Sequence, residues 1–353
     1  MGQLTFLHAI AGLVGLGLAC CLVLAGRIWG ERRSAGGARR AGPFVLGEKL
    51  GQGATGEVYR AEHATLGGAC AVKVLSRRVS DAELDRFDEA ARLGALVQHP
   101  NVATTQGFGR DGDGRAYSVM SLAQGVTLTE RVRADGPLPP SRAIPILRQL
   151  CAALDATHRA GLVHRDVKPD NIVIDSAGHV TLLDFGLARA VDTAVAGDDL
   201  VVGTPHYLSP EAIIAPADVD ARSDLYALGG VAYYLLTGAR PFEGDTVVEL
   251  LCRAIYTEPA PPSDLDRTIP VDLDRIVLAC LAKRPEARPA TAAALSARLG
   301  AALERCAADA LAAEPEGDMD RVLALLRDSF PPLARYGYAL RACLSESPPV
   351  RVA

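Results

Sequence analysis

Eight consecutive residues carry the strongest chemical signal: His164-Arg165-Asp166-Val167-Lys168-Pro169-Asp170-Asn171. A carboxylate at 166 can accept or orient the proton of an attacking hydroxyl. An ammonium two residues on can neutralise charge on a phosphoryl group in transfer, and an amide at 171 can hold a metal ion from the same loop. Thirteen residues after Asn171 stands Asp184, in Asp184-Phe185-Gly186. Between them, Ile172-Val173-Ile174 and Val180-Thr181-Leu182 are spaced as a hairpin turning through 175–178, which brings Asp184 back beside the loop. Asn171 and Asp184 then converge on a hard cation such as Mg2+, with Mn2+ as a substitute, that bridges phosphate oxygens. A polar turn followed by an ordinary hairpin does not account for this joint spacing.

A phosphate-transferring loop needs a second element to hold the nucleotide. Leu50-Gly51-Gln52-Gly53-Ala54-Thr55-Gly56-Glu57-Val58 contains G-x-G-x-x-G-x-V. A dinucleotide-binding turn would lead into a helix with an acid about 20 residues on, whereas Val58-Tyr59-Arg60-Ala61 continues as strand and the next singular residue is a base, Lys73. A Walker A loop needs Lys after its last Gly, and residue 57 is Glu. What remains is either a plain tight hairpin or a glycine-rich hairpin whose N–H groups approach phosphate oxygens unobstructed by Cβ atoms. Lys73, within Ala71-Val72-Lys73-Val74, is either a snorkelling strand lysine or a phosphate contact. In the second case Glu89 on the following helix is the preferred ion-pair partner and Glu83 the competing one.

These residues need two kinds of scaffold. Short β-rich runs come first, at 44–50, 58–61, 70–75 and 116–120, interrupted by a helical pattern over 81–97 with Ser80 as N-cap. After Leu128 the pattern is mainly helical, at 141–160, 223–236, 246–255, 273–281 and 291–299. A small β-rich lobe followed by a larger α-rich lobe is an α+β arrangement with a cleft between.

Taken in order, G-x-G-x-x-G-x-V, Ala71-Val72-Lys73 at the place of V-A-x-K, H-R-D-x-K-P-x-N, D-F-G and Ser209-Pro210-Glu211 resemble the protein-kinase signature. The chain is similar to the bacterial eukaryotic-type (Hanks-type) serine/threonine kinases over roughly 44–299. The resemblance implies a bilobal protein-kinase fold with ATP bound at Leu50, Gly51, Gly53, Gly56, Val58, Ala71, Lys73, Glu89, Met120 and Ala123. Met120 would be the gatekeeper and 121–123 the adenine-binding hinge. It implies Asp166 and Lys168 as catalytic residues and Asn171 and Asp184 as metal ligands. His99-Pro100-Asn101 would be the turn after the small-lobe helix. Glu211 would pair with Arg288 as a structural bridge, and Asp224 would brace the catalytic loop. Lys168 together with Gly203-Thr204-Pro205-His206-Tyr207 points to Ser/Thr hydroxyls of protein substrates. Arg165 would order a phosphorylated activation segment. Thr193 is the one hydroxyl residue between Gly186 and Gly203 and the expected autophosphorylation site; Thr204 is expected to serve the active site. Dimerisation is a route to such autophosphorylation. Two rivals stay open: a membrane-bound pseudokinase scaffold, and a small-molecule phosphotransferase of related fold.

Composition bounds the rest. The chain has 353 residues and a net charge of −5, so no basic field argues for nucleic acid. Eight scattered cysteines without C-x-x-C spacing read as free thiols. Residues 4–25 contain no Asp, Glu, Lys or Arg and are long enough to span a bilayer of roughly 30 Å, and Arg27, Arg32, Arg33, Arg39 and Arg40 follow. The expected organisation is a single-pass signal anchor in the inner cell membrane over 1–28, with residues 4–25 in lipid, and a juxtamembrane linker over 29–43. A cytoplasmic kinase domain follows over 44–299 (N-lobe about 44–122, C-lobe about 123–299), then a helical tail over 300–353.

Overall fold

The computed structural model describes residues 39–52, 56–78, 94–183 and 205–312. The chain divides into two compact units, one formed by 1–77 with 109–117, the other by 78–108 with 118–353.

The first unit is built on a twisted sheet. Strands β1 (Arg40–Ala41), β2 (Phe44–Gln52), β3 (Gly56–His63), β4 (Ala69–Arg78), β5 (Thr105–Arg110) and β6 (Arg115–Ser121) lie in the order β1-β2-β3-β4-β6-β5, with β5 and β6 running on into the second unit. Apolar alternation drives the pairing: Tyr59, Ala61, Val72 and Val74 are buried. In the β3–β4 register Val58 lies opposite Lys73 and Gly56 opposite Leu75, so Val58, Ala71 and Lys73 share one face. The β2–β3 register slips between Leu46 and Lys49 and again between Lys49 and Gly51. Such bulges re-aim the strand where it approaches the glycine turn. At Gly56 a Cβ atom would stand 2.3 Å from the Val74 carbonyl oxygen, so only glycine permits this strand separation.

The second unit is helical. The three-stranded sheet β7-β8-β9 joins β7 (Val126–Thr127), β8 (Ile172–Ile174) and β9 (Val180–Leu182). Helix α1 (Leu128–Asp135) starts on a capping box: Thr127 Oγ1 accepts from the Glu130 N–H at 3.1 Å, and Glu130 Oε2 accepts from the Thr127 N–H at 2.8 Å. Helix α2 (Pro140–Arg159) begins with proline at its first position and buries Ile144, Leu147, Leu150, Cys151 and Leu154. After α3 (Pro210–Ile214) comes the central helix α4 (Ala221–Thr237), capped by Asp220 and ended by Gly238 at φ 71°. It is buried on every side, with Leu225, Tyr226, Leu228, Val231, Leu235 and Leu236 at 2 % exposure or less. Each such side chain contributes roughly 1.5–3 kcal/mol of burial. Gly229 and Gly230 let neighbours close on α4: a Cβ at 229 would lie 2.6 Å from Cys280 Cβ, and one at 230 would lie 3.0 Å from the Tyr207 ring. Helices α5 (Val247–Tyr256), α6 (Pro262–Leu265) and α7 (Val271–Cys280) complete the bundle around it.

Helix α8 runs from Ala292 to Ala312, so the expected division at 299/300 falls inside one helix. The cause is a continued apolar stripe: Leu295, Leu299, Ala302, Leu303 and Ala307 are all buried, and α8 packs along α2. Strands β1, β5 and β7 have no counterpart in the sequence pattern; β5 (TQGFGR) carries two glycines and little alternation. The described cysteines Cys70, Cys151, Cys252, Cys280 and Cys306 are free thiols, and burial pushes that of Cys280 up to about 12. Among the described residues no helix is long and apolar enough to cross a membrane; residues 4–25 lie outside them.

Candidate active site

The loop 160–171 leaves α2 through Gly161, at φ 75°, and ends in a 3-10 turn, Pro169–Asn171, that leads into β8. A loop of this polarity needs partners for its backbone, and Asp224 in the first turn of α4 supplies them. One Asp224 oxygen accepts the Arg165 N–H at 2.8 Å. The other accepts the His164 N–H at 2.8 Å and lies 2.8 Å from His158 Nε2. Asp224 is 1 % exposed. A carboxylate buried this deeply is tolerated because these donors surround it. The grip also holds Arg165 at φ 64°, a left-handed conformation that costs a non-glycine residue roughly 1 kcal/mol or more.

His164, equally buried, ties the loop to the end of β9. Its Nε2 lies 3.0 Å from the Leu183 carbonyl and its Nδ1 3.3 Å from the Asp166 N–H. The neutral tautomer with hydrogen on Nε2 satisfies both contacts. The Leu183 N–H donates to the Asn171 carbonyl at 2.8 Å. Residue 183 is thus fixed to the loop through side chain and backbone.

The loop closes on Asp166. Both of its carboxylate oxygens lie 2.8 Å from Lys168 Nζ. Asn171 Nδ2 donates to Asp166 Oδ2 at 2.7 Å and to the Asp166 carbonyl at 2.9 Å. All three side chains are partly accessible, Lys168 and Asp166 at 18 and 22 %. The Asn171 amide nitrogen is committed to Asp166, so a ligand role for Asn171 falls to its side-chain oxygen. Among the described residues no three His, Cys, Asp or Glu side chains converge as a metal cage. An oxygen-donor amide nevertheless fits a hard ion such as Mg2+, which takes one or two protein ligands and completes its shell from phosphate and water.

Other expected residues fall as follows. In the first unit Leu50 is 47 % exposed beside Gly51, while Val58, Ala71 and Lys73 share a strand face. In the second, Met120 is buried near the end of β6, and the Ser121 backbone and hydroxyl bridge to Thr104 at 3.0 Å each way. Ala123 follows in the irregular stretch before β7. Glu211 and Arg288 form a bidentate pair at 2.6 and 2.7 Å. Gly53, Glu89, Asp184, Thr193 and Thr204 lie outside the described residues.

Gln149 and His158 are positioning residues without a sequence signal, and Asn101 belongs to the 99–101 turn that the kinase resemblance marks. Gln149 of α2 pins the β8–β9 hairpin: it accepts from the Val180 N–H at 3.0 Å and donates to the Gly178 carbonyl at 2.9 Å. Asn101 donates to the Val180 carbonyl at 2.6 Å and to Gln149 at 2.9 Å, so the turn at 99–101 docks on β9. His158 braces Asp224. For Gln149 and His158 no local pattern singles the residue out, because its partner is distant in sequence.

A family model described as the protein kinase domain matches residues 44–299. The serine/threonine-protein kinase PknB of Mycobacterium leprae is 41% identical over 266 residues, which cover 72% of this chain and 42% of the relative. PknB of Mycolicibacterium smegmatis is 39% identical over 307 residues, 84% of this chain and 48% of the relative. A probable serine/threonine-protein kinase PknB of Corynebacterium glutamicum is 40% identical over 272 residues, 73% of this chain and 42% of the relative. The chain thus spans less than half the length of each of these relatives.

Proposed function

The chain belongs to the protein kinase domain family, and on that premise we propose that it transfers the γ-phosphoryl group of ATP to Ser or Thr hydroxyls of proteins. The observation that carries the reading is the cluster of Asp166, Lys168 and Asn171 on a loop whose backbone is clamped by Asp224. Asp166 orients the acceptor hydroxyl and takes its proton as the new P–O bond forms and the bond from the γ-phosphorus to the β,γ-bridging oxygen breaks, releasing ADP. Lys168, already within 2.8 Å of that carboxylate, sits where it can share its charge with the phosphoryl oxygens. Asn171 and Asp184 would hold a divalent ion, Mg2+ in the first instance, which would neutralise charge building on the phosphate oxygens. Lys73, opposite Val58 in the strand register, contacts the α/β-phosphates, and Glu89 pairs with it. The glycine-rich turn with Gly51, Gly53 and Gly56 covers the phosphates. The adenine contacts assigned by the family resemblance are Leu50, Val58 and Ala71 in the first unit and Met120 and Ala123 in the second. Most of the rate enhancement is positioning and electrostatics, since the protein supplies little covalent chemistry.

The relatives' names favour Ser/Thr over Tyr as acceptor, as does Lys168 in the loop. Thr193 is the proposed activating phosphosite, read by Arg165, and Thr204 supports the site. Residues 4–25 anchor the chain in the cell membrane with the kinase domain, 44–299, on the cytoplasmic side. The deciding experiment is transfer of radiolabel from γ-labelled ATP by the purified full chain. Asp166→Asn is expected to lower turnover by about 10²–10⁴-fold while the far-ultraviolet spectrum stays unchanged. Label transfer by Asp166→Asn at the wild-type rate would sink the reading.

A further inference from the structure

Just before the residues matched by the kinase family model, a short segment is built into the sheet. Strand β1 pairs with β2, Arg40 opposite Val45 and Ala41 opposite Phe44, and the Arg39 carbonyl accepts the Leu46 N–H at 2.9 Å. Ala41 is fully buried. Arg39 is therefore held over the β2–β3 hairpin by its backbone.

Its side chain enters a network that joins three successive stretches of chain around one carboxylate. Arg39 donates to the Tyr59 hydroxyl and to Glu57 Oε2, the latter at 3.2 Å, and its guanidinium stacks over the Tyr59 ring at 4.9 Å. The Tyr59 hydroxyl donates to Glu57 Oε2 at 2.7 Å. Lys49 donates to Glu57 Oε1 and to Gln52, each at 2.7 Å. Hydrogen bonds from Lys49 and then Tyr59 hold the Glu57 carboxyl down at about 2, so it stays an anion. Lys49 lies between the two slips of β2, while Gln52, beyond them, stands opposite Glu57, which directly follows Gly56. Tyr59 and Glu57 alternate with Val58, so the network grips the hairpin on the face opposite Val58 and Lys73. Where the register slips, backbone pairing alone is weak, and side chains set the angle of the hairpin's end.

We propose that Arg39 is a positioning residue for nucleotide binding: through Glu57 and Tyr59 it fixes the glycine-rich end of the β2–β3 hairpin from outside the family-matched domain. The proposal rests on the reading of that hairpin as the cover of ATP's phosphates. Arg39 touches no nucleotide, and its effect belongs in affinity, not in the chemical step. Pairs this exposed shift an affinity by about fivefold at most.

The test is autophosphorylation of the detergent-solubilised full chain at varied ATP, run beside calorimetric titration with MgATP. Arg39→Ala is expected to raise KM for ATP and Kd for MgATP about three- to fivefold with kcat within about twofold, and the gap should narrow at high salt. Arg39→Lys, which keeps charge and loses the stacked fork, should recover part of the loss. The double variant Arg39→Ala/Glu57→Gln should be no worse than the poorer single variant, because both break one network. Unchanged KM and Kd, additive effects, or a parallel fall of kcat and thermal midpoint at constant KM would each overturn the proposal. If the wild-type chain transfers no label, the kinase reading falls instead, and the Kd series still decides the role of Arg39.

Discussion

Removing the carboxylate of Glu211 should destabilise the helical unit by about 3 kcal/mol, a figure that follows from what surrounds its partner. The Arg288 side chain is 0 % and that of Glu211 10 % exposed, and the pair is bidentate. Breaking a buried pair by deleting one member typically costs about 3–5 kcal/mol, since a charge is left uncompensated. Here Arg288 keeps other partners: the carbonyls of Ala282 at 2.8 Å, Arg222 at 3.0 Å and Lys283 at 3.2 Å, and the Tyr226 ring at 4.9 Å. Glu211→Gln therefore belongs at the low end of the range. Arg288→Ala strands the carboxylate and three carbonyls together and belongs at the high end, about 5 kcal/mol. The thermal midpoint of Glu211→Gln should fall by about 6–12 °C. Thermal unfolding at pH 7, followed by far-ultraviolet circular dichroism, measures both variants. Acid adds a second check. Burial would raise the Glu211 carboxyl, but hydrogen bonds from Arg288 and Ser223 outweigh it and hold the group below its ordinary value. A depressed carboxyl stabilises above the unfolded pKa of about 4.3, and that contribution disappears as pH falls through the folded pKa. The wild-type advantage over Glu211→Gln should be constant at pH 6–7 and shrink below about pH 4.5. A Gln variant within 1 °C of wild type, or one less stable than Arg288→Ala, would refute the reasoning.

Two further outcomes follow from the clamp and the hairpin. Asp224→Asn places an N–H donor where three donors now converge; kcat should fall by about 10²-fold or more with KM for ATP little changed, read by steady-state label transfer. Gly56→Ala drives a Cβ to 2.3 Å from a backbone oxygen; the hairpin must shift, and calorimetry should show MgATP bound about tenfold more weakly, with melting lowered by several degrees.

The loop of the proposed catalytic residues was legible because its side chains are neighbours in sequence. Asp166, Lys168 and Asn171 lie within six positions, and a single 3-10 turn folds the amide back onto the carboxylate. The glycine hairpin was legible for the same reason, since Gly56 has to be glycine whatever lies beyond it. What holds these elements was harder to see. Gln149 reaches Val180 across 31 residues and His158 reaches Asp224 across 66, whereas the brace of Asp224 on the loop, across 60, was expected only through the kinase resemblance. No periodicity marks a single polar residue whose partner is set by packing. Strand β1 is two residues long and exists through Gly42, at φ 56°, turning beside Tyr117. Helix α8 extends past the expected boundary because burial against α2 outlasts the family's shared positions.

That extension bears on how the protein can be cut. The family model's match ends at 299, part-way along a helix, with Leu299 itself at 2 % exposure and a Cβ placed on Gly300 at 3.5 Å from the Arg148 guanidinium carbon. A fragment trimmed to the homologous span would bare an oily seam on the helix that leads into the catalytic loop. Keeping the chain to at least residue 312 keeps that seam covered, and any partner that pried this last segment loose would be pulling on the helix that leads into the proposed catalytic loop.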